Sequence, residues 1–325
     1  AIYAPAGWTN EALPAVVTLH GYGAAWDSWN ADTTLGASSG LRTKADTLAM
    51  TDVSTSFFVV DLESDTCEPG AGVSATFCDA VGPAHGWNSG IVPRYDGHDD
   101  VQWIRDVVEL VRTSSGITVG SVYAVGNSNG GQMVHRLASE DPSLFSAHAV
   151  VDGNMSEDYR CDGKCIPGDP AYQEGMVDVD GTVCPEPLCS YDWDPTQPPD
   201  TCVLKRVADA TAPVPIVIIH GVLDTSIHID GTISCRPGHD PLPIAASVDK
   251  WLTINGCATA NPGTDFVTTV ADGIDRREFV NCTSGIHVLR YILDNQQHVW
   301  GSGDITTSMA GTTVTDLVWD FLKDY

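Results

Sequence analysis

Val122-Tyr-Ala-Val-Gly126-Asn-Ser128-Asn-Gly130-Gly131, running on without a break into Gln132–Ala138, is the stretch that decides the reading. A short apolar run of buried-strand character is followed by a tight turn and then by a helical pattern. The turn itself is Gly-x-Ser-x-Gly, placed where that motif has mechanical meaning. A serine lifted on a sharp strand-to-helix turn needs small neighbours, because another segment of chain must pack closely against it. The helix that starts behind the serine favours negative charge developing beside it. Ser128 is therefore the candidate nucleophile.

Outward from this turn, the same alternation repeats. Ala15-Val-Val-Thr-Leu19, Phe57-Phe-Val-Val60, His148-Ala-Val-Val151, Ile216-Val-Ile-Ile219 and Val288-Leu-Arg-Tyr-Ile-Leu293 read as buried strands, being β-branched and nearly continuous. Asp99-Asp100 opens a helical run with apolar residues at Val101, Ile104, Val107, Val108 and Val111, an acidic start that suits the helix dipole. Val314 to Leu322 reads as a closing helix. Strands alternating with helices predict an α/β fold with a mainly parallel sheet. Residues 1–325 are read as a single catalytic domain, with two stretches that break the pattern. One is about 62–98; the other is a Cys/Asp/Pro-rich insertion at about 152–211, carrying five of the ten cysteines. So long an irregular segment suggests either a functional rim or lid, or a stapled decoration.

A serine at its ordinary pKa is a poor nucleophile, so it needs a base, and the base needs an orienting acid. With this kind of nucleophile turn the two follow in chain order, acid first. The strand Ile216–Ile219 leads through His220-Gly-Val-Leu to Asp224, the expected acid; Asp230, six residues on, is the reserve. Among the downstream histidines, His298 lies in Asp294-Asn-Gln-Gln-His298-Val-Trp300, a loop after the last strand and before the closing helix. That position suits an exposed imidazole and makes His298 the base, ahead of His287 and His239. An oxyanion hole is also required, one donor being worth about 10²–10³ in rate. The backbone N–H of Asn129 supplies one donor, and Leu19-His-Gly-Tyr22-Gly23, after the first strong strand, supplies Tyr22 N–H as the second. The Tyr22 ring, Trp26, Trp87 and Trp300 are candidate substrate-binding walls, with Trp193 a further aromatic.

Composition bounds what such a site acts on. Hydrophobic residues make up 42% of the 325 and charged residues 18%, an ordinary globular balance. Against 16 Lys+Arg stand 43 Asp+Glu, a net charge of -27, which excludes a nucleic-acid partner and an anionic membrane surface. Of the acids 34 are Asp, which favours turns and caps, so much of the charge is expected on a solvated, salt-tolerant or acid-tolerant surface. Asp178-Val-Asp180-Gly181 is a partial calcium-loop pattern that lacks its terminal Glu. Neither a cofactor nor a resident metal is expected, and the chain is read as a monomer. No apolar run reaches the roughly 18 residues of a spanning helix.

Ten cysteines form an even set without the pair spacing that zinc demands, so disulfides and an oxidising, extracellular location are expected. Short intervening loops favour Cys67–Cys78 and Cys257–Cys282. The chain opens at Ala1-Ile-Tyr without a charged and apolar leader, as a processed secreted protein would.

Several of these residues together resemble a known group. Gly126-Asn-Ser-Asn-Gly-Gly131, His20-Gly-Tyr-Gly23, Asp99-Asp-Val-Gln-Trp-Ile104 and Ile117–Tyr123 are similar to segments of the secreted polyhydroxybutyrate depolymerase-like and feruloyl/acetylxylan esterases. His220-Gly-Val-Leu-Asp224, Asn255-Gly-Cys257 and His298-Val-Trp300 extend the likeness over nearly the whole chain outside the two irregular stretches. Asn127 stands where that family commonly has an apolar residue, and Gln296-Gln297 where glycines are usual. The resemblance implies an α/β-hydrolase fold and carries the nucleophile onto Ser128, the acid onto Asp224 and the base onto His298. It also implies pairing of Cys257 with Cys282. The expected activity is that of a serine esterase on feruloyl or related acyl esters of plant polysaccharide. A polyester depolymerase and a catalytically silent binding protein on the same fold are the alternatives.

Overall fold

In the computed structural model the described residues are 1–22, 39–64, 86, 87, 89, 99–113, 116–155, 210–232, 241–271, 273–298, 300 and 312–325. Nine strands among them form one sheet: β1 (Ile2–Tyr3), β2 (Leu13–Leu19), β3 (Phe58–Leu62), β4 (Val119–Asn127), β5 (Ala147–Val151), β6 (Ile216–Gly221), β7 (Phe266–Ala271), β8 (Ile274–Phe279) and β9 (Val288–Leu293). Their spatial order is β1-β3-β2-β4-β5-β6-β9-β8-β7. From β3 to β9 every pairing is parallel, while β1 at one edge and the β7–β8 hairpin at the other run antiparallel.

The central strands are buried on both faces, which is why they read as unbroken apolar runs. Because side chains alternate, each strand feeds two cores. Leu13, Ala15, Val17, Leu19, Ile216 and Ile218 pack on one side, with Val101, Ile104 and Val108 of α2 (Asp100–Thr113), Met133 and Leu137 of α3 (Asn129–Glu140), and Val248 and Trp251 of α4 (Ile244–Ile254). Val16, Val217 and Ile219 point the other way, against Leu41 and Ala45 of α1 (Leu41–Thr51) and Val314, Leu317 and Val318 of α5 (Val314–Leu322). Helices on both faces of a mainly parallel sheet, with the strand–turn–helix of β4 and α3 at its middle, make this an α/β-hydrolase fold, as the sequence predicts.

Local signals account for the element ends. Asp99 Oδ1 accepts the Gln102 N–H, capping α2 as its acidic start suggests. Thr313 and Asp316 form a reciprocal capping box at the start of α5. The β7–β8 hairpin and helices α1 and α4 were not anticipated from the sequence. A disulfide joins Cys257, just after α4, to Cys282, just after β8. Cys67–Cys78, the remaining cysteines and Asp178–Gly181 lie outside the described residues. So does most of the 152–211 insertion. Its first residues belong to the core: Asp152, Asn154 and Met155 are fully buried, and Asn154 Nδ2 donates to the carbonyls of His228 and Leu242. Among the described residues no helix is long and apolar enough to cross a membrane.

Candidate active site

The C-terminal ends of β2, β4, β5, β6 and β9 meet where Ser128 stands. Ser128 has φ 54° and ψ -123°, a backbone region that L-residues enter only when their surroundings force them. Three contacts supply that force. Its N–H donates to the Val151 carbonyl at the end of β5, its own carbonyl accepts the Gln132 N–H of α3, and Gly21 packs against its Cβ. The glycines on either side are there for space: a Cβ on Gly126 would come within 2.2 Å of the Gly130 carbonyl oxygen, and one on Gly130 within 2.0 Å of the Leu19 carbonyl oxygen.

The three expected side chains converge. His298 Nε2 lies 2.8 Å from Ser128 Oγ, and His298 Nδ1 lies 2.7 Å from Asp224 Oδ2. A carboxylate accepts only, so Nδ1 carries the proton and Nε2 is left as the acceptor for the Ser128 hydroxyl. The side chain of Asp224 is fully buried, and its other oxygen accepts the N–H groups of Ser226 and Ile227 at 2.8 and 2.9 Å. That turn fixes the carboxylate, while the imidazole keeps a partly open face.

Asp230, the reserve acid, is on an exposed turn and accepts the Thr232 N–H, a bond that holds its carboxyl below the usual carboxylate range. His287 sits at the opposite end of β9, bonded to Glu278. His239 lies outside the described residues. The geometry therefore predicts that Asp224→Asn lowers kcat by about 10³–10⁴, through loss of the correct tautomer. Asp230→Asn is expected to stay within about twofold of the parent, as exposed substitutions usually do. Equal damage from the two in a steady-state ester assay would contradict the assignment.

The two expected oxyanion donors lie on segments that touch the Ser128 turn. Asn129 begins α3 directly after Ser128, and Tyr22 follows Gly21, the residue packed on Ser128. The His20–Tyr22 loop is held from three sides. His20 Nε2 accepts the Ser64 N–H, its Nδ1–H donates to the Gly21 carbonyl, and its own carbonyl accepts the Trp87 indole N–H. The side chain of Asn129 clasps the Trp87 backbone in both directions, accepting its N–H at 2.6 Å and donating to its carbonyl at 3.1 Å.

These bonds correct the expectation for Trp87. It is fully buried, and its ring and backbone brace the His20–Tyr22 loop and Asn129 rather than stand open as a wall. Trp300 is likewise a packing residue, 3% exposed, with its indole N–H on Thr315 Oγ1 at the start of α5. Trp26 and Trp193 lie outside the described residues. The Tyr22 ring is 42% exposed beside Gly86, and Val222 and Leu223, just before Asp224, are exposed apolar side chains on the same edge. Sequence reading passed over both Val222 and Leu223; their place between a buried strand end and the acid was the available signal.

A further buried carboxyl was missed. Asp152 follows the last residue of β5, and its Oδ1 accepts the Gly221 N–H at 3.2 Å. Burial, with the nearby charge of Asp224, holds its proton on well above the usual carboxylate range. Asp152, Asp224 and His298 form a group whose ligand-type atoms lie within 4.8 Å of one another. Donors so arranged can in principle take a metal, but Asp224 and His298 are already spent on each other.

Buried histidines give the molecule a pH dependence of its own. Burial pushes His135 down to about 3, and His148 and His220 down to about 4. Between about pH 6.5 and about pH 4 the unfolded chain takes up protons there and the folded chain does not, so stability falls as pH falls. Each histidine costs up to about 1.4 kcal/mol per pH unit in that window. Asp152 acts in the opposite sense, since its folded form keeps a proton the unfolded chain releases, and one group offsets three only in part. Melting temperature measured from about pH 8 to about pH 4 is expected to drop steeply below about pH 6. A flat profile would contradict the neutral, buried state of these rings.

No family model matches the chain. Over 211 residues it is 26% identical to a protein of Nocardia uniformis subsp. tsuyamanensis named "Putative esterase NocK", a match spanning 62% of this chain and 56% of that one. The chain thus covers little more than half the length of this curated relative. Among solved structures it is similar to an acetyl xylan esterase from Aspergillus awamori, with 14% identity, a TM-score of 0.49, and coverage of 92% of this chain and 88% of the other. It is also similar to a CE1 ferulic acid esterase from Anaeromyces mucronatus, with 12% identity, a TM-score of 0.49, and coverage of 99% and 82%. The fold assignment rests on this chain's own strand order and nucleophile turn.

Proposed function

We propose that this chain is a secreted serine carboxylic-ester hydrolase, feruloyl esterase-like, acting on acyl esters of plant polysaccharide. The observation that carries the reading is the unbroken line from Asp224 through His298 to Ser128 Oγ, with bonds of 2.7 and 2.8 Å. In this reading Ser128 Oγ attacks the ester carbonyl carbon while His298 Nε2 takes its proton. The carbonyl oxygen becomes an oxyanion facing the N–H groups of Asn129 and Tyr22, at the positive end of α3. Collapse breaks the carbon–oxygen bond to the alcohol, which leaves with the proton from His298. Water then repeats the sequence on the acyl-enzyme and releases the acid and the free serine. Asp224 holds the imidazole in its working tautomer and faces the imidazolium that forms.

Secretion is supported by the Cys257–Cys282 disulfide, since such bonds persist in oxidising compartments. Esterase chemistry is supported by the name of the Nocardia relative. The preference for an aryl acyl group draws on the motif resemblance and on the exposed Tyr22 ring beside the nucleophile loop. The exposed Tyr22, Val222 and Leu223 would also suit an apolar polyester chain, and that is the second reading.

Hydrolysis of methyl ferulate, p-nitrophenyl acetate and butyrate, and a polyhydroxybutyrate suspension, with Ser128→Ala as the blank, separates the two. Ferulate turnover without clearing of the suspension is the expected result. Clearing without ferulate turnover would replace the reading with a polyester depolymerase.

A further inference from the structure

One ionisable group at the catalytic edge of the sheet has no part in the steps above. Asp152 is fully buried and sits at φ 49°, a backbone conformation that costs a non-glycine residue free energy. Its Oδ1 accepts the Gly221 N–H, while its Oδ2 has no hydrogen-bond partner among the described residues. A buried, half-satisfied acid on a strained backbone is kept at a cost, and its surroundings indicate what for.

Gly221 ends β6 and packs tightly on the base loop. A Cβ there would come within 2.2 Å of the Gln296 carbonyl oxygen, which in turn accepts the Leu223 N–H at 3.0 Å. Through this one bond Asp152 touches the junction of the two loops that carry Asp224 and His298. Its carboxyl also lies near the same imidazole, since an oxygen of Asp152, an oxygen of Asp224 and a ring nitrogen of His298 lie within 4.8 Å of one another.

We propose that Asp152 is a positioning residue of the hydrolytic site: a second buried carboxyl, behind Asp224, that anchors the acid and base loops and can orient the same imidazole. The inference rests on the triad reading above. The groups around Asp152 are few. His220 Nδ1 lies 4.0 Å away, unpartnered among the described residues, because Nε2–H of that ring donates to the Ile227 carbonyl. Asp224 and His298 face it from the other loops, and His135 of α3 reaches the adjoining Gly153 carbonyl. None of these offers a fixed positive charge. Burial first, and the charge of Asp224 second, keep the proton on Asp152 and leave the Asp224–His298 contact undisturbed. Removing the Asp224 charge removes the second of these causes, leaving burial alone to hold the proton, and leaves an imidazole in need of an acid within reach. Asp152 then releases its proton to bulk water and accepts the Nδ1–H in place of Asp224.

The test is a double-mutant cycle with p-nitrophenyl acetate on four proteins: native, Asp152→Asn, Asp224→Asn and the double variant. Folding of each is checked by circular dichroism. Asparagine at 152 keeps the acceptor for Gly221 N–H and removes only the ionisable group. Asp152→Asn is expected to lower kcat/KM at least about tenfold more in the Asp224→Asn background than in the native one. The residual activity of Asp224→Asn is expected to rise with pH through a step that the double variant lacks, a signature that loop anchoring alone does not produce. Equal losses in both backgrounds with superimposable pH profiles would overturn the proposal.

Should the double variant not fold, the rate at which a phosphonate labels Ser128 in Asp224→Asn decides. A pH step in that rate supports the proposal, and a rate without one overturns it. A native protein that neither turns over ester nor labels at Ser128 would overturn the triad reading instead.

Discussion

Ser128→Ala is expected to remove ester turnover by about five to six orders of magnitude while leaving the fold intact. The alanine loses the hydroxyl that lies 2.8 Å from His298 Nε2, and no bond that holds the turn. Those bonds belong to the backbone of Ser128, from its N–H to Val151 and from its carbonyl to Gln132, and they survive the change. His298→Ala is expected to fall in the same range, because nucleophile and base act as one unit and their losses do not add. The check is steady-state hydrolysis of p-nitrophenyl acetate with circular dichroism alongside. Residual activity within tenfold of the parent, in a folded Ser128→Ala protein, would remove the serine from the mechanism.

Gly130→Ala is expected to be the most damaging change to the fold. Its Cβ would lie 2.0 Å from the Leu19 carbonyl oxygen, 2.5 Å from the Leu19 carbonyl carbon and 2.6 Å from the His20 carbonyl oxygen. All three are backbone atoms at the end of β2 and the start of the His20–Tyr22 loop, so no side chain can swing aside. Relief requires α3 and β2 to separate, at a cost of about 3 kcal/mol or more by the measure of overpacked cores. A large drop in urea midpoint, together with loss of activity, is the expected result. Native stability with full activity would show that the turn is looser than its geometry implies.

Both predictions concern the part of the molecule most legible in the sequence. Close backbone approach around Ser128 restricts positions 126 and 130 to glycine, and that restriction is written into residues 126–131 as composition. Asp224 and His298 were readable for a related reason: each follows a buried apolar strand, and the strand ends are where a parallel sheet presents its chemistry. The central strands were legible because burial on both faces leaves an unbroken apolar run.

Where two-sided burial fails, so does legibility. β8 reads Ile-Asp-Arg-Arg-Glu-Phe and lies between β7 and β9, yet its charges are absorbed locally. Arg276 pairs with Glu278, Asp275 with Arg290, and Arg277 lies over the Phe266 ring. Glu278 lies within the same run, but Arg290 and Phe266 belong to β9 and β7, and only the folded sheet brings them beside β8. The tryptophans misled for another reason. An aromatic near a catalytic loop can face the ligand or brace the loop, and only its hydrogen bonds distinguish the two. Trp87 donates to His20 and Trp300 to Thr315, partners 67 and 15 residues away. Asp152 was hidden in the same way: an acid after a strand is ordinary, and its meaning comes from Gly221, Asp224 and His298, none of them near it in the chain.

The central claim is that Ser128 is a nucleophile activated by His298. It is tested most directly by treating the native protein with a p-nitrophenyl phosphonate and locating the adduct by peptide mass spectrometry. One adduct per chain is expected, on the peptide carrying Ser128, absent in Ser128→Ala and formed far more slowly in His298→Ala. No adduct on the folded native protein, or an adduct on a different residue that persists in Ser128→Ala, would contradict it.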